Sequence, residues 1–356
     1  MTALPGFGVI VPAGGAGKRL WPVSRADRPK FLLDLTGSGR TLIQQTWDRL
    51  EPLAGAERVA VVTGQAHAAE IRAQLPGLGA GNLIAEPAAR DSMGAIGLAT
   101  AIMLQRHGDI VLGSFAADHA VGDQAAFARA VEGAYLAAQE GLIATIGIRP
   151  SGPSTAYGYI KAGDPLGLLG APQARWVEAF KEKPDLPTAA GYLQAGYRWN
   201  AGMFVFKASV LLGRLRQLHP AYAAAVEAVA QAWDTPERAA AAERAWPGLP
   251  RIAIDHAIAE PVAAAGGLAT VPGDFEWSDV GDFDSLAAFA PDGALRLAGG
   301  PAPLLVDSPG ALVVNQTDRL VAVLGLEDAV VAVTDGVILV TTRASAQQVK
   351  SLADRF

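Results

Sequence analysis

The chain has 356 residues, 51% of them hydrophobic and 18% charged, and it contains no cysteine. Those values suit a globular protein with room for one large domain or two, and they exclude wholesale disorder, a disulfide framework, thiolate metal sites and cysteine catalysis. A formal charge of -6 gives no general attraction to nucleic acid or an anionic membrane, so neither is an expected partner and positive charge has to act locally.

In chain order, no basic residue precedes the first apolar run, GVIVP, and Lys18 and Arg19 follow it too closely for a signal peptide. No uninterrupted apolar stretch reaches the roughly 18 residues of a membrane span, so a cytoplasmic protein is expected. GVIVP, RVAVVT and DIVLGSF read as buried strands, while TLIQQTWDRL, AHAAEIRAQL and SMGAIGLATAIMLQRH carry apolar residues at helical spacing. This alternation predicts an α/β, Rossmann-like, mostly parallel sheet with helices on both faces. Ligands of such sheets sit beyond the carboxyl ends of the strands, where the loop after GVIVP and the segment after Phe115 both fall.

From about residue 150 to 206, turns and short strands (SGPSTAYGYIKAG, RWVEAFKEKP, GMFVF) predict an inserted, substrate-covering region. Residues 207 to 246 read as helical and alanine-rich, and APDGALRLAGGPAPLLVDSPG, residues 290 to 310, reads as a linker. Short β segments follow (ALVV, RLVAVLGL, AVVAVT, GVILVTT), then a last helix with Val349, Leu352 and Phe356 on one face. Residues 1–290 are therefore expected as the main domain and 291–356 as a small β-rich domain, with oligomer contact as its expected role.

The loop VPAGGAGKRLWPVSRADRPKF, residues 11 to 31, is the densest chemical signal. It is not a P-loop: with Gly17-Lys18 in register, Pro12 stands where the first glycine is needed and Arg19 where Ser or Thr is needed. Nor is it a dinucleotide fingerprint, which would require glycine at Leu20. Small residues still let backbone N–H groups approach phosphate oxygens, and Lys18, Arg19, Arg25 and Lys30 can neutralise several negative charges.

The ordered run GGAGKRLWPVSRADRPK resembles the glycine-rich signature of the sugar-nucleotide pyrophosphorylases, nucleotidyltransferases that join a nucleoside triphosphate to a sugar 1-phosphate. Trp21 before the proline and Ser24-Arg25 after it resemble the mannose-1-phosphate guanylyltransferase branch in particular. The resemblance implies the nucleotide-diphospho-sugar transferase fold, with residues 1–290 as its catalytic domain. It also implies GTP and mannose 1-phosphate as partners, with GDP-mannose and pyrophosphate as products.

Residue by residue, the resemblance implies that Ala13, Gly14, Gly15, Gly17 and Lys18 bind the nucleotide and that Arg19 and Lys30 are catalytic. In AEPAARDSMGAIGLA, Glu86, Arg90, Asp91 and Ser92 would hold base and ribose; the Glu86 carboxylate can accept from guanine N1–H and its exocyclic amine. Taken alone, Asp91 or Ser92 reads as a helix cap, and Asp91-Ser92 departs from the commoner Asn-Thr. Asp118 in SFAADHAVGD and Asp279 in EWSDVGDFDSL match the two aspartates that hold one divalent ion, Mg2+ with Mn2+ as an alternative. The sugar phosphate falls to Tyr157 and Gly158 in TAYGYI, Glu178, Glu182 and Lys183 in VEAFKEKP, and Asn200 in WNAGMFVF, with Asp255 in IDHAIAEP contributing.

His67, His107, His119, His219 and His256 lack metal-ligand spacing. A homodimer is expected, and no fused cupin-type isomerase domain. Two other readings stay open: a pyrophosphorylase for another nucleotide and sugar phosphate, such as glucose or heptose 1-phosphate, and a non-catalytic regulator that binds a sugar nucleotide. Retention of Arg19, Lys30, Asp118 and Asp279 together weighs against the regulator.

Overall fold

The computed structural model describes residues 3–297 and 300–355; residues 298 and 299 of the Gly/Pro-rich passage, and Phe356 of the last helix's expected apolar face, lie outside the described residues. The chain falls into two compact units. One comprises the residues through Pro12 with Asp48–Ala116 and Val121–Glu276; the other comprises Ala13–Trp47, Ala117–Ala120 and the residues from Trp277 onward. The glycine-rich loop therefore shares a unit with the C-terminal β segments.

The first unit is built on a nine-stranded sheet. Its strands are β1 (Phe7–Ala13), β2 (Val59–Gly64), β3 (Leu83–Glu86), β4 (Val111–Ser114), β5 (Ile143–Ile148), β6 (Gly158–Pro165), β7 (Arg175–Lys181), β8 (Arg198–Lys207) and β9 (Leu268–Gly273). They lie in the order β3-β2-β1-β4-β8-β5-β9-β7-β6. Near-continuous apolar runs such as Phe7, Val9, Ile10 and Val11 are buried, as strands covered on both faces require. β1 runs parallel to β4, with Phe7 opposite Val111, and β2 runs parallel to β3, with Val61 opposite Leu83.

Beyond β4 the sheet becomes mixed. β8 is antiparallel to both β4 and β5, and β6 and β7 form an antiparallel pair. The connection from β6 to β7 is too short for the helical crossover that parallel neighbours need, so this inserted region returns as a hairpin.

Helices cover both faces. Leu268 of β9 joins a core with Met93, Ile96 and Met103 of α1 (Asp91–His107), Leu211 and Leu215 of α3 (Ala208–Leu218) and Val226 of α4 (Pro220–Gln231). Val271, at odd spacing from Leu268, lies within 3.2 Å of where a Cβ on Gly133 would sit, in α2 (Gln124–Gln139). Because successive strand side chains alternate between faces, these two contacts lie on opposite sides of the sheet.

In the second unit, β10 (Ala294–Arg296), β12 (Leu312–Asn315) and β14 (Ala329–Val333) are stacked in parallel, and β15 (Ile338–Thr342) closes this four-stranded sheet antiparallel to β14. A second parallel pair, β11 (Leu304–Val306) and β13 (Ala322–Leu324), completes a coil. The passage expected as a linker thus supplies two coil strands, because Leu295 is buried against the stack and Leu305 packs beside it. Alternate residues of β12 and β14 enter different cores: Val313, Val331 and Val333 meet Val323, whereas Leu312, Val314, Val330 and Ala332 meet Leu339 and Val349. The latter core also holds Leu20 and Val23 of the glycine-rich loop and Leu33 and Leu35 just after it. The β-rich tail is therefore the packing floor of that loop.

Candidate active site

The loop's conformation follows from its glycines and its buried side. Gly15 and Gly17 adopt φ of 86° and 60°, in the left-handed region that costs glycine little. A Cβ on Gly17 would stand 2.6 Å from Ser24 Oγ and 3.3 Å from Lys30 Cβ, so the close approach also demands glycine. Ser24 Oγ donates to Ala16 O at 2.7 Å and pins the bend. Ala13 is buried at the end of β1, and Leu20 and Phe31 are fully buried; Lys18 reaches the surface, whereas the Lys30 side chain stays largely buried. Arg25 turns aside to Asp27, at 3.1 Å.

Lys30 gathers the expected metal ligands. Its ammonium lies 2.8 Å from Asp118 Oδ2 and donates to the backbone carbonyl of Asp279 at 2.6 Å. Burial alone would raise the Asp118 carboxyl, but the charges of Lys30 and His119 and the hydrogen bond from Lys30 outweigh it and hold the group below the ordinary carboxylate range. Asp279 sits on a strained turn: Val280, a β-branched residue, has φ of 46° and is fully buried. The Asp279 carboxylate is crowded against Gly281, where a Cβ would lie 2.7 Å from Oδ2. Lys18, Arg19, Lys30, Gly17 and Gly281 line a cleft of ≈ 500 Å³ together with Gln347 and Lys350.

The first unit carries two clusters. At the end of β3, Glu86 Oε2 is buried without a hydrogen-bond partner, and burial pushes its carboxyl up to about 7 against the opposing hydrogen bond and charge of Arg90. The Tyr222 hydroxyl is likewise buried without a partner and is pushed up to about 12 by burial and by the charge of Glu86. Arg90 donates to the carbonyls of Trp246 and Pro247, at 3.3 and 3.0 Å, and so tethers that segment to the start of α1. Asp91, at φ of 62°, accepts from Ser92 N at 2.7 Å, and Ser92 Oγ accepts from Ile254 N at 2.9 Å.

The second cluster joins Gly158, Glu182, Lys183, Asn200 and Asp255. Lys183 Nζ lies 2.5 Å from Glu182 Oε1, and Glu182 Oε2 is buried without a partner. Any side chain at Gly158 would run into that oxygen. Asn200 Nδ2 donates to Asp255 Oδ1 at 2.6 Å, while Asn200 Oδ1 accepts from Thr145 Oγ1 at 3.0 Å. Burial and the neighbouring charge of Glu182 push Asp255 up to about 6. Tyr157 packs its ring on Trp199, 4.8 Å between centroids, and its carbonyl accepts from Lys183 N at 3.3 Å. Glu178 does not join this group; it is exposed and pairs with Lys161 at 2.6 Å.

Comparison with known proteins decides the family. A model described as nucleotidyl transferase matches residues 8–294. The chain belongs to the nucleotidyl transferase family. A second model, described as a MannoseP isomerase/GMP-like beta-helix domain, matches residues 303–356, the coil of β11 to β15 and the last helix. Among its relatives this nucleotidyl transferase is 38% identical over 354 residues to the xanthan biosynthesis protein XanB of Xanthomonas campestris pv. campestris (strain B100), covering 98% of this chain and 72% of that one. It is 35% identical over 364 residues to the mannose-1-phosphate guanylyltransferase ManC of Salmonella typhimurium, with 98% of this chain and 72% of that one covered. A crystal structure described as a mannose-1-phosphate geranyltransferase from Thermus thermophilus superposes with a TM-score of 0.84 at 33% identity, covering 98% of this chain and 99% of that one.

Some polar residues of this nucleotidyl transferase's clusters escaped the sequence reading. Tyr222 and Gln347 lie in segments read only as helical, and only folding puts Tyr222 beside Glu86 and Gln347 beside Arg19. Trp246, which donates from Nε1 to Ala88 O at 2.6 Å, is far from that partner in sequence. No local pattern marks such residues.

Proposed function

We propose that this chain transfers GMP from GTP to α-D-mannose 1-phosphate, giving GDP-mannose and pyrophosphate. The observation that carries the proposal is Lys30, whose single ammonium meets the Asp118 carboxylate and the Asp279 carbonyl beside a cleft lined by Lys18 and Arg19. That arrangement supports phosphate chemistry, and the 35% identical guanylyltransferase supports the choice of substrates.

In this reading an oxygen of the sugar 1-phosphate attacks the α-phosphorus, a new P–O bond forms, the bond to the β-phosphate oxygen breaks, and pyrophosphate leaves. The attacking oxygen is already ionised, so no general base is needed. Catalysis rests on position and charge. Arg19 can grip two oxygens with its planar fork, and Lys30 acts as a point charge once it exchanges Asp118 for phosphate. Gly14, Gly15 and Gly17 let backbone donors approach, with Ala13 and Lys18 beside them.

The oxygen-only pair Asp118 and Asp279 fits Mg2+ or Mn2+, and the ion pair of Lys30 with Asp118 supports this reading. When bound, such an ion supplies neutralisation of the phosphate charge. Glu86, together with Arg90, Asp91 and Ser92 at the start of α1, is assigned to the base and ribose, because guanine N1–H and its amine would satisfy the orphaned carboxylate. Glu182, Asn200 and Asp255 are assigned to the sugar hydroxyls, Lys183 to its phosphate, and Tyr157 and Gly158 to the wall beside them. Glu178 has the weakest support, since Lys161 already occupies it.

We assign transfer to residues 1–290 and support of the loop to 291–356. A cytoplasmic homodimer is part of the same reading. Its support is that no helix among the described residues is long and apolar enough to cross a membrane, and that Leu324, Ile338 and Val340 are exposed on the coil. Sedimentation in solution checks the dimer.

The test of function is the initial rate of pyrophosphate release from GTP and Mg2+, with and without mannose 1-phosphate. Release that depends on both substrates is expected. Folded protein that releases none, while another nucleotide or sugar phosphate does react, would replace the substrate assignment.

A further inference from the structure

We propose that Lys350, in the last helix, is a phosphate-binding residue that receives the terminal phosphates of the nucleotide and inorganic pyrophosphate. The inference rests on the transfer reaction proposed above and extends its site into the C-terminal coil. α5 (Val349–Ala353) packs beside the short helix Lys18–Leu20 of the glycine-rich loop, anchored by Val349, which is 2% exposed. Gln347, Lys350 and Asp354 follow at a spacing that places them along one side of a helical segment.

Two of the three meet the loop's basic residues, and the third lines the same cleft. Arg19 Nη1 donates to Gln347 Oε1 at 2.9 Å, Lys18 Nζ lies 2.6 Å from Asp354 Oδ1, and Lys350 lines the same ≈ 500 Å³ cleft. Among the described residues the Lys350 ammonium has no hydrogen bond or ion pair within contact distance, whereas Lys18 and Lys30 are each paired with an aspartate. A polyanion entering the cleft therefore finds in Lys350 a cation held by no direct contact, only by the longer-range attraction of Asp354. Gln347 and Asp354 hold Arg19 and Lys18 at the mouth of the same cleft, so the last helix positions the loop as well as adding charge to it.

The experiment compares wild type with Lys350→Ala, Lys350→Met and Lys350→Arg. The Michaelis constants for GTP and mannose 1-phosphate are read in the forward direction, and that for pyrophosphate in the reverse. Loss of one charge-assisted contact is expected to raise KM for GTP and for pyrophosphate about tenfold in the Ala and Met variants. KM for mannose 1-phosphate should stay within about twofold, and Lys350→Arg should recover most of the loss. Unchanged KM values for GTP and pyrophosphate in Ala and Met would overturn the proposal, as would a rise shared equally by mannose 1-phosphate. A wild-type chain that releases no pyrophosphate would sink the reaction reading instead. Calorimetric titration of the full chain with inorganic pyrophosphate then decides Lys350 alone: weaker binding by Lys350→Ala supports it, and equal affinity ends it.

Discussion

The two compact units treat charge in opposite ways. In the unit of the glycine-rich loop, two lysines already meet carboxylates: Lys30 lies on Asp118, Lys18 on Asp354, and the Asp118 carboxyl is held low by its neighbours. In the unit of the large sheet, burial pushes Glu86 up to about 7, burial and the charge of Glu182 push Asp255 up to about 6, and Glu86 and Glu182 each keep a buried oxygen without a partner. A phosphate entering the first environment exchanges one partner for another. In the proposed reading, a base or sugar entering the second would bring hydrogen-bond donors that its buried oxygens lack.

The sharpest way to break this contrast is Asp118→Asn, which keeps the shape but removes the charge that Lys30 balances. Turnover should fall on the order of 100- to 1000-fold while circular dichroism stays native, and near-normal turnover would remove Asp118 from the chemistry. Arg19→Lys comes next, with kcat/KM expected to drop roughly 10- to 100-fold because a point charge replaces a bidentate fork. A loss confined to KM for mannose 1-phosphate would mean that Arg19 does not touch the nucleotide.

Smaller effects probe the sheet unit. If Glu86 holds guanine as proposed, both of its oxygens can accept from N1–H and the amine only when it is ionised, so below about 7 full pairing would first expel a proton. In wild type, KM for GTP should therefore fall as pH rises through 7. Glu86→Gln should raise KM at alkaline pH about tenfold and flatten that dependence. An unflattened profile would take Glu86 away from the base.

Stability should show the same opposition. Glu86 and Asp255 bind protons more tightly folded than unfolded, so their contribution is full below their ordinary values near 4 and is lost as pH rises toward 6 and 7. Asp118 contributes in the other sense: its stabilisation is present above its ordinary value of 3.8 and is lost on acidification. The melting temperature of unliganded Glu86→Gln and Asp255→Asn should accordingly fall less than that of wild type between pH 5 and pH 8. The smallest change is Val314→Ala, in the core shared by loop and coil, expected to cost about 2 kcal/mol in denaturant melts.

How much of this was legible beforehand depended on how local each signal is. β1, β2 and β4 and their helices were readable because a buried parallel strand is an apolar run and a covering helix repeats its apolar face. The coil was only half readable. Its short strands were visible, but the stacking of Leu304 beside Ala322 and of Leu312 beside Val330 is a repeat in space that the varied residues do not advertise. The expected sugar-phosphate set likewise divided on folding. Glu182 and Asn200 converged with Gly158 and Asp255, whereas Glu178 points to Lys161, since a residue's face on a strand is set by a register that sequence spacing alone does not decide.

By itself the sequence determined the glycine-rich loop and its charges, because small residues and cations in a short, ordered run are a local signal. Only the tertiary structure decided that Lys30 reaches Asp118 and Asp279, that Tyr222 lies near Glu86, and that the last helix stands beside Lys18 and Arg19. Those contacts join residues far apart in the chain, and they exist only because cores packed elsewhere bring the side chains within reach.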